Sequence, residues 1–476
     1  MSISEDTQPN LAIADIGGVS PPPPLLFYGT LFLFVLMIIT LVGSIIAFRE
    51  ILRPGQQQRV VNMLPFMEAF LPSRPDPGDT LPTPMSSGDM DRVSDTLLSI
   101  SISTPLPTML PEEIVPTPIP TSQEEATLQK SATPSPATTP TMRPSVAPSV
   151  IPTQIAVLNS APAIPTSGRM YGFRHEQQTW NNCGPASITI ALSYYGWPED
   201  QEFARRIFRP DREDKNVTPD EMVAFVNAET NIRALWRMGG DLDTLRLLIA
   251  NEFPVIIGTG YMPEGYDWLG HYQTVVGFDP GSFYIYDSFI GTGENGEGYA
   301  RPVAEVDREW QHFNRRFIVL YPPDREAQLL SLLGDLADPM AAATAAFETA
   351  QQEARTNPRN GFAWFNMGTS LVALGQYQQA ALAFDQARQV NLPWRMLWYQ
   401  FGPYEAYYNI GRYGDVMALV QSNLNNGGQY VEETFYWQGM VYAAQGQTAD
   451  ARNAFRRALS INPNTAFAQE ALNRLG

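Results

Sequence analysis

One run of the chain limits its folds more than any other. Residues 25–48, "LLFYGTLFLFVLMIITLVGSIIAF", hold no charged side chain over 24 positions. As a helix rising about 1.5 Å per residue, this run is longer than the roughly 30 Å hydrocarbon core of a bilayer. It reads as a transmembrane helix, and its flanks set it apart from a cleaved signal peptide. The N-terminal tail, residues 1–24, is acidic (Glu5, Asp6, Asp15), and the run ends in Phe48, Arg49 and Glu50 with no small-residue cleavage site. The remainder of the chain then hangs from one tether. Directly after it, residues 49–71 place Val60, Leu64, Met67 and Leu71 at helical intervals, a juxtamembrane amphipathic segment that Pro65 interrupts.

Residues 72–167 are rich in Pro, Ser and Thr, as in "TPLPTMLPEEIVPTPIPT" and "SATPSPATTPTMRPSVAPSVIPT". Such a composition buries too little apolar surface to offset its ordering entropy, and its prolines keep it extended. This is the signature of a disordered stalk. From residue 168 to 323 aromatic residues and glycine return. Helical patterns over 219–228 and 242–250 precede strand-like runs, "PVIIGTG" from Pro254, "HYQTVVGF" from His271, "FYIYD" from Phe283 and "RFIVLY" from Arg316. Helices first and strands afterwards predict an α+β unit.

After a connector, residues 324–340, the character changes again. Trp364, Gly368, Ala380, Phe384 and Ala387 recur as Phe435, Gly439, Ala451, Phe455 and Ala458, each displaced by 71 residues. A degenerate copy with Trp398, Gly411 and Tyr413 lies between them, which halves the period to about 35. With "NP" at Asn462 and Pro463, residues 341–476 resemble the tetratricopeptide repeat, a helix-turn-helix unit that stacks into an all-α solenoid. The resemblance implies a protein or peptide partner on the concave face.

Composition excludes several functions. A net charge of −18 and a pI near 4.6 oppose a nucleic-acid partner, which needs clustered Lys and Arg. The only two lysines, Lys130 and Lys215, do not follow a glycine, so no P-loop for a nucleotide is present. One cysteine, Cys183, rules out an intrachain disulfide and a Cys-rich zinc site, and no cofactor is implied.

Cys183 lies in "NNCGPASITIALSYYGW", where Pro185 suits a first helical turn and Gly196 a stop. A thiol at a helix start is biased toward thiolate by the macrodipole and the unpaired N–H groups. Three histidines are available as a base. His175 begins "HEQQT", which lacks the second histidine of the zinc-protease pattern, and His312 in "EWQHFNRR" reads as surface or structural. His271 heads a strand-like run, a rigid place from which to aim an imidazole, and Asp287 ends the next one, where a carboxylate orients such a ring.

"EQQTWNNCGPAS", "GHYQTVVGFD" and "YIYDSF" resemble the nucleophile, base and orienting motifs of C39-like cysteine peptidases, which have a papain-like fold. The resemblance implies Cys183 as nucleophile, His271 as general base and Asp287 as the residue holding the imidazole. It implies Gln177, six residues before the cysteine, as oxyanion donor, with Gln178 beside it as the alternative. Where the family often has Asp-Pro, this chain has Asp287-Ser288. The chain as a whole reads as multidomain: a single transmembrane helix, a disordered stalk, an α+β papain-like domain and a tetratricopeptide solenoid. Its expected activity is peptide-bond cleavage at a membrane. The alternatives are a catalytically silent anchored scaffold and a cell-wall peptide amidase or transpeptidase. Arg49, Arg53 and Arg59 after the helix favour a cytoplasmic C-terminal side, whereas the long stalk favours the outside. The extracytoplasmic side is the expectation taken here, because long domains translocate despite modest flanking charge.

Overall fold

The computed structural model describes residues 24–52, 54–71, 81–84, 90–102, 164–262, 267–390 and 392–476. The N-terminal tail and most of the stalk lie outside them. The chain divides into two compact units, Met1–Asp76 with Asp211–Glu213, and Pro77–Pro210 with Asp214–Gly476.

In the first unit α1 (Pro24–Ile46) is an uninterrupted helix. Its Thr40 and Ser44 hydroxyls bond back to the Leu36 and Thr40 carbonyls at 2.8 Å, so neither leaves a polar group bare on an apolar surface. The span Tyr28–Arg49 is long and apolar enough to cross a membrane. α2 (Pro54–Met63) stops short of Pro65, which instead opens a 3-10 turn over Pro65–Phe70.

In the second unit, α3 (Met90–Ser99) belongs to the stretch read as stalk, yet it is docked. Leu97 is fully buried, and Gln351 donates to the Leu97 and Ile100 carbonyls at 3.0 and 2.9 Å. Arg388 likewise donates to the Pro82 and Thr83 carbonyls at 2.7 and 3.0 Å. "VSDTLLSI" thus carries enough apolar surface to pack on the repeats.

The α+β body contains β1 (Gly168–Arg169), α4 (Cys183–Ser193), α5 (Gln201–Phe208), α6 (Pro219–Glu229), β2 (Arg233–Arg237) and α7 (Leu242–Ala250). It continues with β3 (Val255–Tyr261), β4 (Leu269–Phe278), β5 (Ser282–Tyr286), β6 (Tyr299–Pro302), α8 (Val303–Gln311) and β7 (Phe317–Tyr321). The strands form one antiparallel sheet in the order β2-β7-β3-β4-β5-β6, with β1 also on β4. Strand alternation gives each face its own core. Val255, Ile257, Val275, Phe317 and Val319 pack with Leu245, Leu248 and Trp310, on the side of α7 and α8. Ile256, Tyr272, Ile318 and Leu320 pack with Ile188, Leu192 and Met222, on the side of α4 and α6.

After α9 (Glu326–Leu333), the repeats comprise α10 (Pro339–Thr356), α11 (Gly361–Ala373), α12 (Tyr377–Gln389), α13 (Gly402–Asn409), α14 (Tyr413–Asn425), α15 (Glu432–Ala444), α16 (Thr448–Ile461) and α17 (Ala466–Arg474). α11 and α15 obey the 71-residue displacement at both ends. Gly368 and Gly439 explain the repeated small residue: a Cβ there would lie 2.7 and 2.6 Å from the rings of Phe384 and Phe455. The middle repeat departs from the pattern. Pro393 and Pro403 bracket a 3-10 turn, Trp394–Trp398, and leave α13 only eight residues long.

The repeats are bolted to the α+β body by buried acids. Asp214 and Glu221 come from the body, Glu432 and Glu433 from the first turn of α15. Asn462 donates to Phe208 O, Glu221 Oε1 and Glu432 Oε1 at 3.1, 3.2 and 3.0 Å, and Asn216 reaches Glu433 at 3.3 Å. Burial pushes Asp214 up to about 7 and Glu221 up to about 8, and it raises Glu432 and Glu433 with them. Folded, these carboxyls hold protons that the unfolded chain releases. Their contribution is therefore full below the unfolded value of about 4 and is lost as pH climbs through 7 to 8. The melting temperature of the full chain is expected to fall by several degrees between about pH 5.5 and 8.5. Glu433→Gln should flatten that slope. A slope unchanged by the substitution would remove Glu433 from the account.

Candidate active site

Asn181 adopts a left-handed φ of 54°, turning the chain so that α4 starts at Cys183. Asn182, the residue before, is fully buried and spent on support: its amide donates to Gln201 Oε1 at 2.7 Å and its oxygen accepts from Arg209 at 2.9 Å. Every residue from Gly184 to Ser193 is buried. Ser187, one turn beyond the cysteine, pins the helix to β4 by donating to Tyr272 O at 3.0 Å and accepting from Thr274 through its own carbonyl at 3.3 Å. That registration puts Cys183 beside His271, the residue preceding Tyr272.

The imidazole and the thiol face each other closely enough that each favours the charged form of the other. On the ring's other side Nε2 meets Asp287 Oδ1 at 3.0 Å, which leaves Nδ1 for Cys183. Asp287 is wholly buried and saturated. Its Oδ1 also accepts the backbone N–H groups of Phe289 and Ile290 at 2.7 and 2.9 Å, and its Oδ2 accepts Gln273 Nε2 at 2.7 Å. The turn from Asp287 to Gly291 that supplies those N–H groups is closed by paired backbone bonds of 3.1 and 2.9 Å.

Electrostatics follow from these contacts. Burial opposes ionisation of Asp287, but the His271 charge, its hydrogen bond and the Ile290 N–H outweigh burial and hold the carboxyl far below its usual range. Burial also disfavours the imidazolium, yet Asp287 and Cys183 together raise His271 to about 10. Burial pushes the Cys183 thiol up. Against it act the facing imidazole of His271 and its charge, the Tyr272 backbone N–H and the Arg209 charge, and the net result is a lowered thiol. A thiolate–imidazolium pair is thus the favoured state. The first two N–H groups of α4, those of Cys183 and Gly184, have no intrahelical partner and open onto the same end of the helix.

The other expected residues lie around this row. Gln177 is exposed and donates through Nε2 to Phe289 O at 2.7 Å, while Gln178 accepts from Ser288 Oγ at 2.8 Å. Neither glutamine lines the cleft at Cys183. His312 is structural. It accepts from Trp268 Nε1 at 3.1 Å and stacks on Phe362 of the repeats at 3.7 Å, and burial lowers it to about 4. No group of metal-ligating side chains occurs among the described residues. Sequence reasoning missed Gln273 and set His175 aside; they bond to the Asp287 carboxylate and carbonyl at 2.7 and 2.9 Å. It also missed Tyr399, a residue of the repeats that lines the cleft with Cys183 and His271.

Residues 171–317 match the model of the Peptidase_C39 like family, and residues 432–465 match that of the tetratricopeptide repeat. The chain carries a C39-like peptidase domain and a tetratricopeptide repeat. Among solved structures, the chain is similar to a C39-like peptidase from Bacillus anthracis, at 16% identity and a TM-score of 0.27, covering 32% of this chain and 96% of that one. It is also similar to a double glycine motif protease from an AMS/PCAT transporter in complex with the leader peptide. There the identity is 21% and the TM-score 0.25, over 33% of this chain and 94% of that one. No curated protein matches the chain. The C39-like match spans α4, β4 and β5, and so takes in Cys183, His271 and Asp287.

Proposed function

We propose that this chain is a membrane-tethered cysteine hydrolase of peptide amides, with residues 168–323 as the catalytic domain and 341–476 as a binding domain for a peptide or protein. The observation that carries the proposal is the row Cys183, His271, Asp287, in which one imidazole nitrogen is held by a buried carboxylate and the other faces the thiol. In this reading the Cys183 thiolate attacks the amide carbonyl carbon and forms a C–S bond. The charge moving to the carbonyl oxygen is met by the free N–H of Cys183 and by Gln177, once its amide exchanges Phe289 O for the oxyanion. His271 passes its Nδ1 proton to the leaving amine as the C–N bond breaks. Water then adds to the thioester, gives a proton back to Nδ1, and the C–S bond breaks to release a carboxylic acid. Helix α1 is the anchor, and the catalytic domain lies outside the cytoplasm.

Product analysis tests this reading. Full-length protein in detergent micelles is incubated with unstructured peptides in ¹⁸O-labelled water. Hydrolysis of the thioester places one labelled oxygen in each new C-terminal carboxyl. New C-termini joined to an added amine and free of label mean a transpeptidase, and intact peptides mean a silent scaffold.

A further inference from the structure

The cleft at Cys183 has a charge at odds with the rest of the chain. In a protein of net charge −18, two permanent cations, Lys215 and Arg316, line this cleft, and among the described residues no carboxylate does. A concave site lined by one sign of charge concentrates ligands of the other.

Arg316 is the more telling of the two. It sits just before β7, with its Cζ 4.2 Å from the Phe313 ring centroid and 5.2 Å from that of Tyr272. Gly258 on β3 closes the far side: a Cβ there would come within 2.6 Å of Arg316 Nε. Nε is sealed in this way without a hydrogen-bond partner, and the guanidinium forms no ion pair among the described residues. Stacking on two rings is a weak return for taking part of a guanidinium out of water. The buried Arg209 and Arg301 are met by acceptors, Arg209 by Asn182 and the Asp214 carbonyl, Arg301 by Glu305 and Glu309. Arg316 alone of these lines the cleft that holds the thiol.

Tyr399, delivered by the irregular middle repeat, also lines the cleft. Its ring packs on Gly270, the residue before His271, where a Cβ would lie 2.9 Å from it. The adjoining Arg395 is tied to Asp267 at 2.8 Å, which fixes that segment against the catalytic domain.

We propose that Arg316 anchors a carboxylate of the substrate beside the reacting carbonyl, in a subsite walled by Phe313 and by Tyr399 of the repeats. The preferred substrates are therefore acidic peptides. This rests on Cys183 being the attacking group, and the test is arranged to separate the two claims. Full-length protein is alkylated with iodoacetate and with iodoacetamide at a pH where the thiol is fully ionised. In either case sulfur bonds to the methylene carbon and iodide leaves, so the two reagents differ only in the carboxylate. The ratio of their rates reads the subsite whether or not peptides are cleaved. Arg316→Gln should lower the iodoacetate-to-iodoacetamide ratio roughly tenfold, as expected for loss of a hydrogen bond between charged groups. Arg316→Lys should restore part of it, which separates charge from a failure to fold. Because no hydrogen bond or ion pair holds the half-buried guanidinium among the described residues, Arg316→Gln should also melt no lower than the wild type. In peptide cleavage the same variant should lose preference for aspartate or glutamate over their amides next to the scissile bond. An unchanged ratio in Arg316→Gln overturns the proposal even if peptides are hydrolysed. A reduced ratio without hydrolysis keeps the anion subsite and discards the hydrolase.

Discussion

Cys183→Ala is expected to lower peptide cleavage by roughly four to six powers of ten, the scale on which a covalent nucleophile contributes in a site that acts as a unit. Stability should change by only about 1 kcal/mol, because the side chain lies at the cleft surface and the helix it begins is held by Ser187, Asn182 and the apolar packing behind it. Cys183→Ser should be nearly as inactive, since the pairing that lowers a thiol leaves a hydroxyl protonated. Mass-spectrometric counting of product peptides, with calorimetric melting alongside, makes the comparison. Cleavage persisting near the wild-type rate would place the nucleophile elsewhere in the chain.

Asp287→Ala should be the most damaging of the supporting substitutions. It removes four acceptor contacts at once, leaving the His271 Nε2–H, the Gln273 amide and the Phe289 and Ile290 N–H groups unmet. Breaking a buried ion pair from one side typically costs about 3 to 5 kcal/mol. Turnover should fall roughly a hundredfold to ten-thousandfold, the usual share of positioned acid–base catalysis. Asp287→Asn keeps an oxygen facing Nε2, so it should retain most of the stability and stay within about tenfold in rate. Equal melting temperatures for Asp287→Ala and the wild type would contradict the saturated carboxylate described above.

What the sequence revealed, and what it hid, divides along chain distance. Cys183 and its helix were readable because Pro185, the apolar run and Gly196 are local signals, and α7 falls on the predicted bounds of 242–250. His271 reads as the head of its strand but lies two residues inside β4, whereas Asp287 directly follows β5 as read. The close approach implied by Gly368 and Gly439 was legible through repetition alone. By contrast, α5 was missed although Asp200 caps it, because no apolar periodicity of sufficient length surrounds it. Contacts across more than a hundred residues leave no local trace. Gln178 with Ser288, His175 with Asp287, and the acids of α15 beside Asp214 are of this kind. Tyr399 was hidden for a further reason. It belongs to the one repeat whose pattern is broken, and a break in a repeat reads as degeneracy until its position beside a cleft is seen. The docking of α3 was masked by the prolyl segments around it.

The central claim is that His271 and Asp287 make Cys183 an anionic nucleophile. The most direct measurement is the rate of alkylation by iodoacetamide against pH, in the full-length wild type and in His271→Ala. The wild-type midpoint should lie well below the free-thiol value of about 8.5, with a second inflection near pH 10 as the imidazolium loses its proton. In His271→Ala the midpoint should rise past 8.5, because burial remains while the principal counter-charge is gone. Midpoints near 8.5 in both proteins would mean an ordinary thiol in a C39-like fold, and the hydrolase would be withdrawn.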